Sequence, residues 1–202
     1  MSKRSSDSSP PHSRREFLTR VSAGAVCLLT VVVDGCERKM TPAQARASAA
    51  PFRALDAEAV RTLEALEETL LPGSVLAGVA HYIDHQLAAD PADSLLMIKY
   101  LSINPPYVDF YRAGLAAARA ASLRKFGESP AELGVQRCTS LLEQMAAGEL
   151  DGWSGPPAPL VYFVLRSDAV DALYGTPSGF EKLQIPYMPH IMPPKSSGWE
   201  PL

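Results

Sequence analysis

From Phe52 to Tyr174 apolar residues recur three or four positions apart, and Pro and Gly cut the pattern into about five to six helical segments. Leu55-Asp56-Ala57-Glu58 sets a capping aspartate and an early acid ahead of Ala59, Leu63, Leu66 and Leu70, and Pro72-Gly73 stops that helix. A second segment runs from Val75 to Ala89 with Leu76, Val79, Ile83 and Leu87 on one face. Asp90-Pro91 offers a cap and a first-turn proline to a shorter helix, Ala92 to Ile103, ended by Asn104-Pro105-Pro106. Tyr107 to Phe126 is the longest segment, with a seam of Val108, Tyr111, Leu115 and Ala118 and with Arg124-Lys125 before Gly127 to complement a helix C-terminus. Ser129-Pro130-Ala131-Glu132 has capping-box spacing, and Cys138, Leu142 and Met145 continue at helical spacing to Gly148.

Gly152 to Pro159 is a Gly- and Pro-rich loop, and Leu160 to Tyr174 follows it. Leu160, Phe163, Val164, Val170 and Leu173 of that segment are expected to face inward; Val161 to Leu165 alone also fits a strand, but the length of the segment favours a helix. The resulting class is all-α: one small helical domain over 48–175, preceded by residues 1–47 and followed by an extended tail, 176–202, whose six prolines make regular structure improbable. Glu37 to Pro51, rich in Ala and poor in large apolar residues, is expected to be disordered.

The N-terminal 47 residues change the functional picture. Arg14-Arg15-Glu16-Phe17-Leu18 followed by the apolar run Val21 to Val33 has the form of an export signal read by the twin-arginine exporter, which carries folded proteins across the bacterial inner membrane. The run is 13 residues long, short of the roughly 20 apolar residues that span a bilayer. Val33-Asp34-Gly35-Cys36 resembles a lipoprotein cleavage box and makes Cys36 a candidate for lipidation. The competing cleavage sites are Ala45-Arg46-Ala47 and Ala47-Ser48-Ala49, which would release a soluble product.

Beyond residue 47 the chain carries 11 Lys+Arg against 18 Asp+Glu, a net of -7, which argues against a nucleic-acid partner. Cys138 stands alone in that part, so no disulfide framework exists there, and a small buried side chain is the expected role.

Candidate chemistry is sparse. His81-Tyr82-Ile83-Asp84-His85 puts two histidines one turn apart with an acid beside them, a metal-like pattern akin to an inverted zinc-protease motif with aspartate in place of glutamate. On a helical wheel both histidines lie opposite the Leu76/Ile83/Leu87 face and are expected to point to solvent or to a partner. Glu64, Glu67 and Glu68 look like paired carboxylates, but the default reading is a solvated outer face. In the tail, Tyr187, Met188, His190, Ile191, Met192 and Trp199 form an apolar, proline-punctuated stretch suited to a partner or to the chain's own helices. His190 is the one general-base candidate there. No dinucleotide loop, phosphate loop, nucleophile elbow or haem-attachment motif is present, so no redox cofactor has a recognisable site in this chain.

Leu63-x-x-Leu66-x-x-Thr69-Leu70-Leu71-Pro72 with the Gly78 to Leu87 helix, Tyr111-Arg112-Ala113-Gly114-Leu115, Tyr174-Gly175 and Gly198-Trp199 together resemble the gluconate 2-dehydrogenase subunit 3 family. That resemblance implies a non-catalytic small subunit whose partner is a flavoprotein large subunit of the glucose-methanol-choline type carrying FAD, with a multihaem cytochrome c, holding haem c, as a further partner. It also implies joint export on the small subunit's signal, to the periplasm or the periplasmic face of the inner membrane. Two alternatives stand beside it: a metal-dependent enzyme built on His81, Asp84 and His85, and a structural envelope lipoprotein tethered through Cys36.

Overall fold

A computed structural model describes residues 28–33 and 36–185. Among the described residues the fold is helical with one two-stranded sheet. β1 (Leu29–Val33) pairs antiparallel with β2 (Cys36–Met40), Leu29 opposite Met40. Then come α1 (Pro42–Ala47), α2 (Ala57–Leu70), α3 (Ser74–Ala77), α4 (Val79–Ala88), a 3-10 turn at Met97–Tyr100, α5 (Tyr107–Phe126), a second 3-10 turn at Pro130–Glu132, α6 (Val135–Ala147), α7 (Ala158–Tyr174) and α8 (Pro177–Lys182).

α2 is the axis. Asp56 Oδ1 accepts the Glu58 and Ala59 N–H groups at 3.0 and 2.8 Å, which starts the helix where the sequence places it. Leu63 and Leu66 are fully buried. Around α2 pack α3, α4, α5, α6 and α7, and α6 lies along α7. Gly114 lets α5 approach α7, since a Cβ there would sit 2.9 Å from Val161 Cγ1. α5 has the bounds its flanking Pro106 and Gly127 imply.

Several expectations are corrected. The segment read as one helix over Val75–Ala89 is two, because Gly78 adopts φ 75° and resets the wheel. Leu76, assigned to the buried seam, is 81% exposed. Ala92 to Ile103 forms turns and one 3-10 turn: Asp90 Oδ1 caps Ala92 N–H at 2.8 Å, but no α-helix propagates. The capping box of Ser129 and Glu132 closes a 3-10 turn, and α6 starts afresh at Val135. Phe163 and Val170 face outward on α7. Thr176 caps a short helix where the tail was expected to be irregular.

The largest departure lies before Phe52. Glu37 to Pro51 is ordered, with β2 and α1 inside it. Ala45 and Ala50 are buried, and Leu29 and Val31 join the core cluster. Small side chains fill this seat, which is why a search for large apolar residues misses it.

Candidate functional site

Two polar constellations are buried in the body. The first is the clamp on α4. Asp84, 4% exposed, accepts three backbone N–H groups: Arg53 on Oδ2 and Ala54 and Leu55 on Oδ1, each at 2.8 Å. Arg112 on α5 adds its guanidinium to the Ala54 carbonyl, Nε at 3.1 Å. His81 Nε2 donates to the Ala50 carbonyl at 3.1 Å, and Phe52 lies against its ring, centroids 4.2 Å apart. His85 Nε2 accepts the Thr30 N–H at 3.0 Å.

These contacts overturn the expectation that the two histidines point to solvent or to a partner. The polar face of α4 is covered by β1, α1 and the Ala50–Leu55 strap. Burial pulls both histidine pKa values below the usual range; Arg53 pulls His85 the same way, while the Ala50 bond and Asp84 oppose the fall at His81. His85 Nε2 must be unprotonated to accept the Thr30 N–H hydrogen bond, so the neutral ring carries its hydrogen on Nδ1. All three side chains named as metal candidates are thus committed to backbone groups, and among the described residues no three His, Cys, Asp or Glu side chains converge as a metal site would need.

The second constellation, which the sequence did not reveal, lies between α2, α5 and α7. Tyr111, 1% exposed, donates its hydroxyl to Asp168 Oδ2, and Asp168 Oδ1 accepts the Met97 N–H at 2.7 Å. Glu67, also 1% exposed, has an Oε1 without a hydrogen-bond partner. Burial first, then the charge of Asp168 and of Glu64, raises Glu67 well above the usual carboxylate range. Asp168 is pushed up to about 7 by burial, against the lowering effect of its two hydrogen bonds. Tyr111 is raised as well, by burial and then by Asp168. Both acids are buried, and the charge on Asp168 opposes ionisation of Glu67.

Glu64, Glu67 and Glu68, read as a solvated row, have three separate roles. Glu64 meets Arg46 of α1 at 3.6 Å, Glu67 is interior, and Glu68 accepts the Gly73 and Val75 N–H groups at 2.8 and 3.0 Å. Cys138 is 1% exposed, its thiol pushed up by burial, as a packing role requires. A groove of about 540 Å³ between α2, α6 and α7 is lined by Leu70, Leu142, Ala146 and Tyr162 with Glu143, and has no histidine, cysteine or lysine on its walls.

Arg14, Arg15, Phe17 and Leu18 lie outside the described residues, as do Tyr187, Met188, His190, Ile191, Met192 and Trp199. Cys36 opens β2, but its side chain lies outside the described part.

Among the described residues, then, Asp84, Asp168, His81 and His85 serve to hold helices and straps together, in a small all-α body. The model of the family described as gluconate 2-dehydrogenase subunit 3 matches residues 57–193, and the chain belongs to that family. The family is that of a subunit of the gluconate 2-dehydrogenase complex, an oxidoreductase assembly. Neither the curated proteins nor the solved structures gave a match.

Proposed function

We propose that this chain is the non-catalytic small subunit of a flavin-dependent dehydrogenase, and that it escorts a glucose-methanol-choline type large subunit through the twin-arginine exporter. The FAD belongs to the large subunit and haem c to a cytochrome subunit. The assembled complex works in the periplasm or on the periplasmic face of the inner membrane. Membership of the subunit 3 family is the observation that carries this reading. The commitment of His81, Asp84 and His85 to backbone groups supports a scaffold role. A large subunit that takes up its flavin in the cytosol must leave folded, and a folded-cargo signal on its small companion meets that need.

The test is co-expression of both subunits with Arg14→Lys and Arg15→Lys in this chain. Both proteins are expected to remain in the cytosol, with dehydrogenase activity lost from the periplasmic fraction. Arrival of the large subunit in the periplasm despite the substitutions refutes the escort role. The purified small chain is expected to show no flavin absorbance and no activity, and stoichiometric flavin on it would refute the non-catalytic reading.

A further inference from the structure

The seat of residues 28–33 and 36–50 bears on how the chain matures. Thr41 and Gln44 form a reciprocal capping box at the start of α1, at 3.2 and 2.9 Å. The Pro42 carbonyl lies so close to Gly78 that a Cβ there would come within 2.1 Å of its oxygen. Ala45 has no exposed surface, Arg46 meets Glu64, and the Ala50 carbonyl is bonded to His81. Ahead of α1, Leu29 and Val31 are 1% and 6% exposed, and the Thr30 N–H is held by His85.

A signal peptidase takes its substrate as an extended strand with small residues in its pockets. Here both small-x-small sites fall in α1 or at its end, with Ala45 turned into the core. A cut before Cys36 would divide β1 from β2. An exporter of folded cargo delivers the two small-x-small sites of α1 to the far side of the membrane already folded.

We infer that residues 28–33 and 36–50 form a permanent clasp of the mature protein, and that any maturation cut falls ahead of Leu29. The inference rests on the export reading for its setting, and its physical content is the stability of the clasp.

The first measurement is the intact mass and N-terminal sequence of this chain recovered from the periplasmic fraction with its large subunit. An N-terminus at or before Leu29 is expected. An acylated Cys36, or a chain beginning at Ser48 or Ala50, overturns the inference. If the wild-type chain is instead found only in the cytosol at full length, the export reading has failed. The clasp is then judged by limited trypsin digestion of the purified full chain. Cuts after Arg38, Lys39 and Arg46 are expected no faster than cuts after Arg61 on α2, and about tenfold faster after Arg38 and Lys39 in His85→Ala. Immediate cleavage at Arg38, Lys39 and Arg46 in the unsubstituted chain overturns it.

Discussion

Tyr111 on α5 and Asp168 on α7 join through a phenol-to-carboxylate hydrogen bond in a region where each side chain is 1% exposed. The same carboxylate holds the Met97 N–H at 2.7 Å, so one side chain ties the 3-10 turn to two long helices. A buried acceptor that loses a donor costs about 1–3 kcal/mol. Tyr111→Phe is therefore expected to lower unfolding free energy in urea by that amount while keeping the helical circular dichroism. A loss below about 0.5 kcal/mol would show that the hydroxyl is not a tie.

Because the buried acids titrate late, stability depends on pH with a defined sign. The folded-state pKa values of Asp168 and Glu67 are raised, to about 7 for Asp168. Their contribution is fully present below the unfolded carboxylate pKa, near 4, and is lost as pH rises through the folded value, at up to about 1.4 kcal/mol per pH unit for each proton released. Glu67→Gln removes one of the two titrations and one of the two charges. The stability difference between this variant and the parent is expected to shift in the variant's favour from pH 5 to pH 8. A difference independent of pH would place the proton elsewhere.

Much of the helical frame was legible: the Asp56 cap, the Pro106 and Gly127 bounds of α5, and the helical choice for the segment ending at Tyr174 all follow from local rules that the tertiary structure respects. The polar interior was not. A wheel drawn through Leu76 and Ile83 assumes one continuous helix, and the left-handed Gly78 breaks that assumption, so Leu76 faces solvent; His81 and His85 do lie opposite Ile83, but β1, α1 and the Ala50–Leu55 strap cover that face, which no helical wheel shows. Glu67 stands four residues after Leu63, and Asp168 four after Val164, so each lies beside the buried face of its helix, but a charged residue type reads as solvated; only the three-dimensional meeting of α2, α5 and α7 reveals them. Ala45 and Ala50 are small enough to be buried in a segment whose composition suggests disorder.

Asp84 gives a sharp test of the clamp. Asp84→Ala strands the N–H groups of Arg53, Ala54 and Leu55 at the edge of the core, and a loss of about 2–4 kcal/mol is expected from orphaned donors that charge-assisted bonds had satisfied. Amide exchange at Ala54 and Leu55 should accelerate along with it. Asp84→Asn, which keeps one acceptor oxygen, should lose less. Unchanged exchange at both amides in Asp84→Ala would remove the clamp.

On the acid side the histidines set the limit. Burial lowers the folded pKa of His81 and of His85, so their contribution is whole above the unfolded value near 6.5 and is lost as pH falls from there through the folded values. Protonated His85 cannot accept from Thr30. Acidification is expected to speed exchange at the Thr30 amide before the core amides of α2 respond, and His85→Gln should abolish that pH dependence. Equal acceleration in parent and variant would assign the effect to another group.

Gly78 and Gly73 together separate backbone strain from packing. Both have positive φ, 75° and 97°, yet a Cβ on Gly73 meets nothing within 4 Å, whereas one on Gly78 runs into the backbone of Pro42. Gly73→Ala should cost about 1 kcal/mol, the backbone term alone. Gly78→Ala adds the displacement of α1 and should cost at least about 2 kcal/mol more, with faster trypsin cleavage after Arg46 as its local signature. Equal melting temperatures for the two variants would mean that α1 does not rest on α4 as described. A Gly78→Ala protein that loses stability without exposing Arg46 would place the strain in the α3–α4 joint instead.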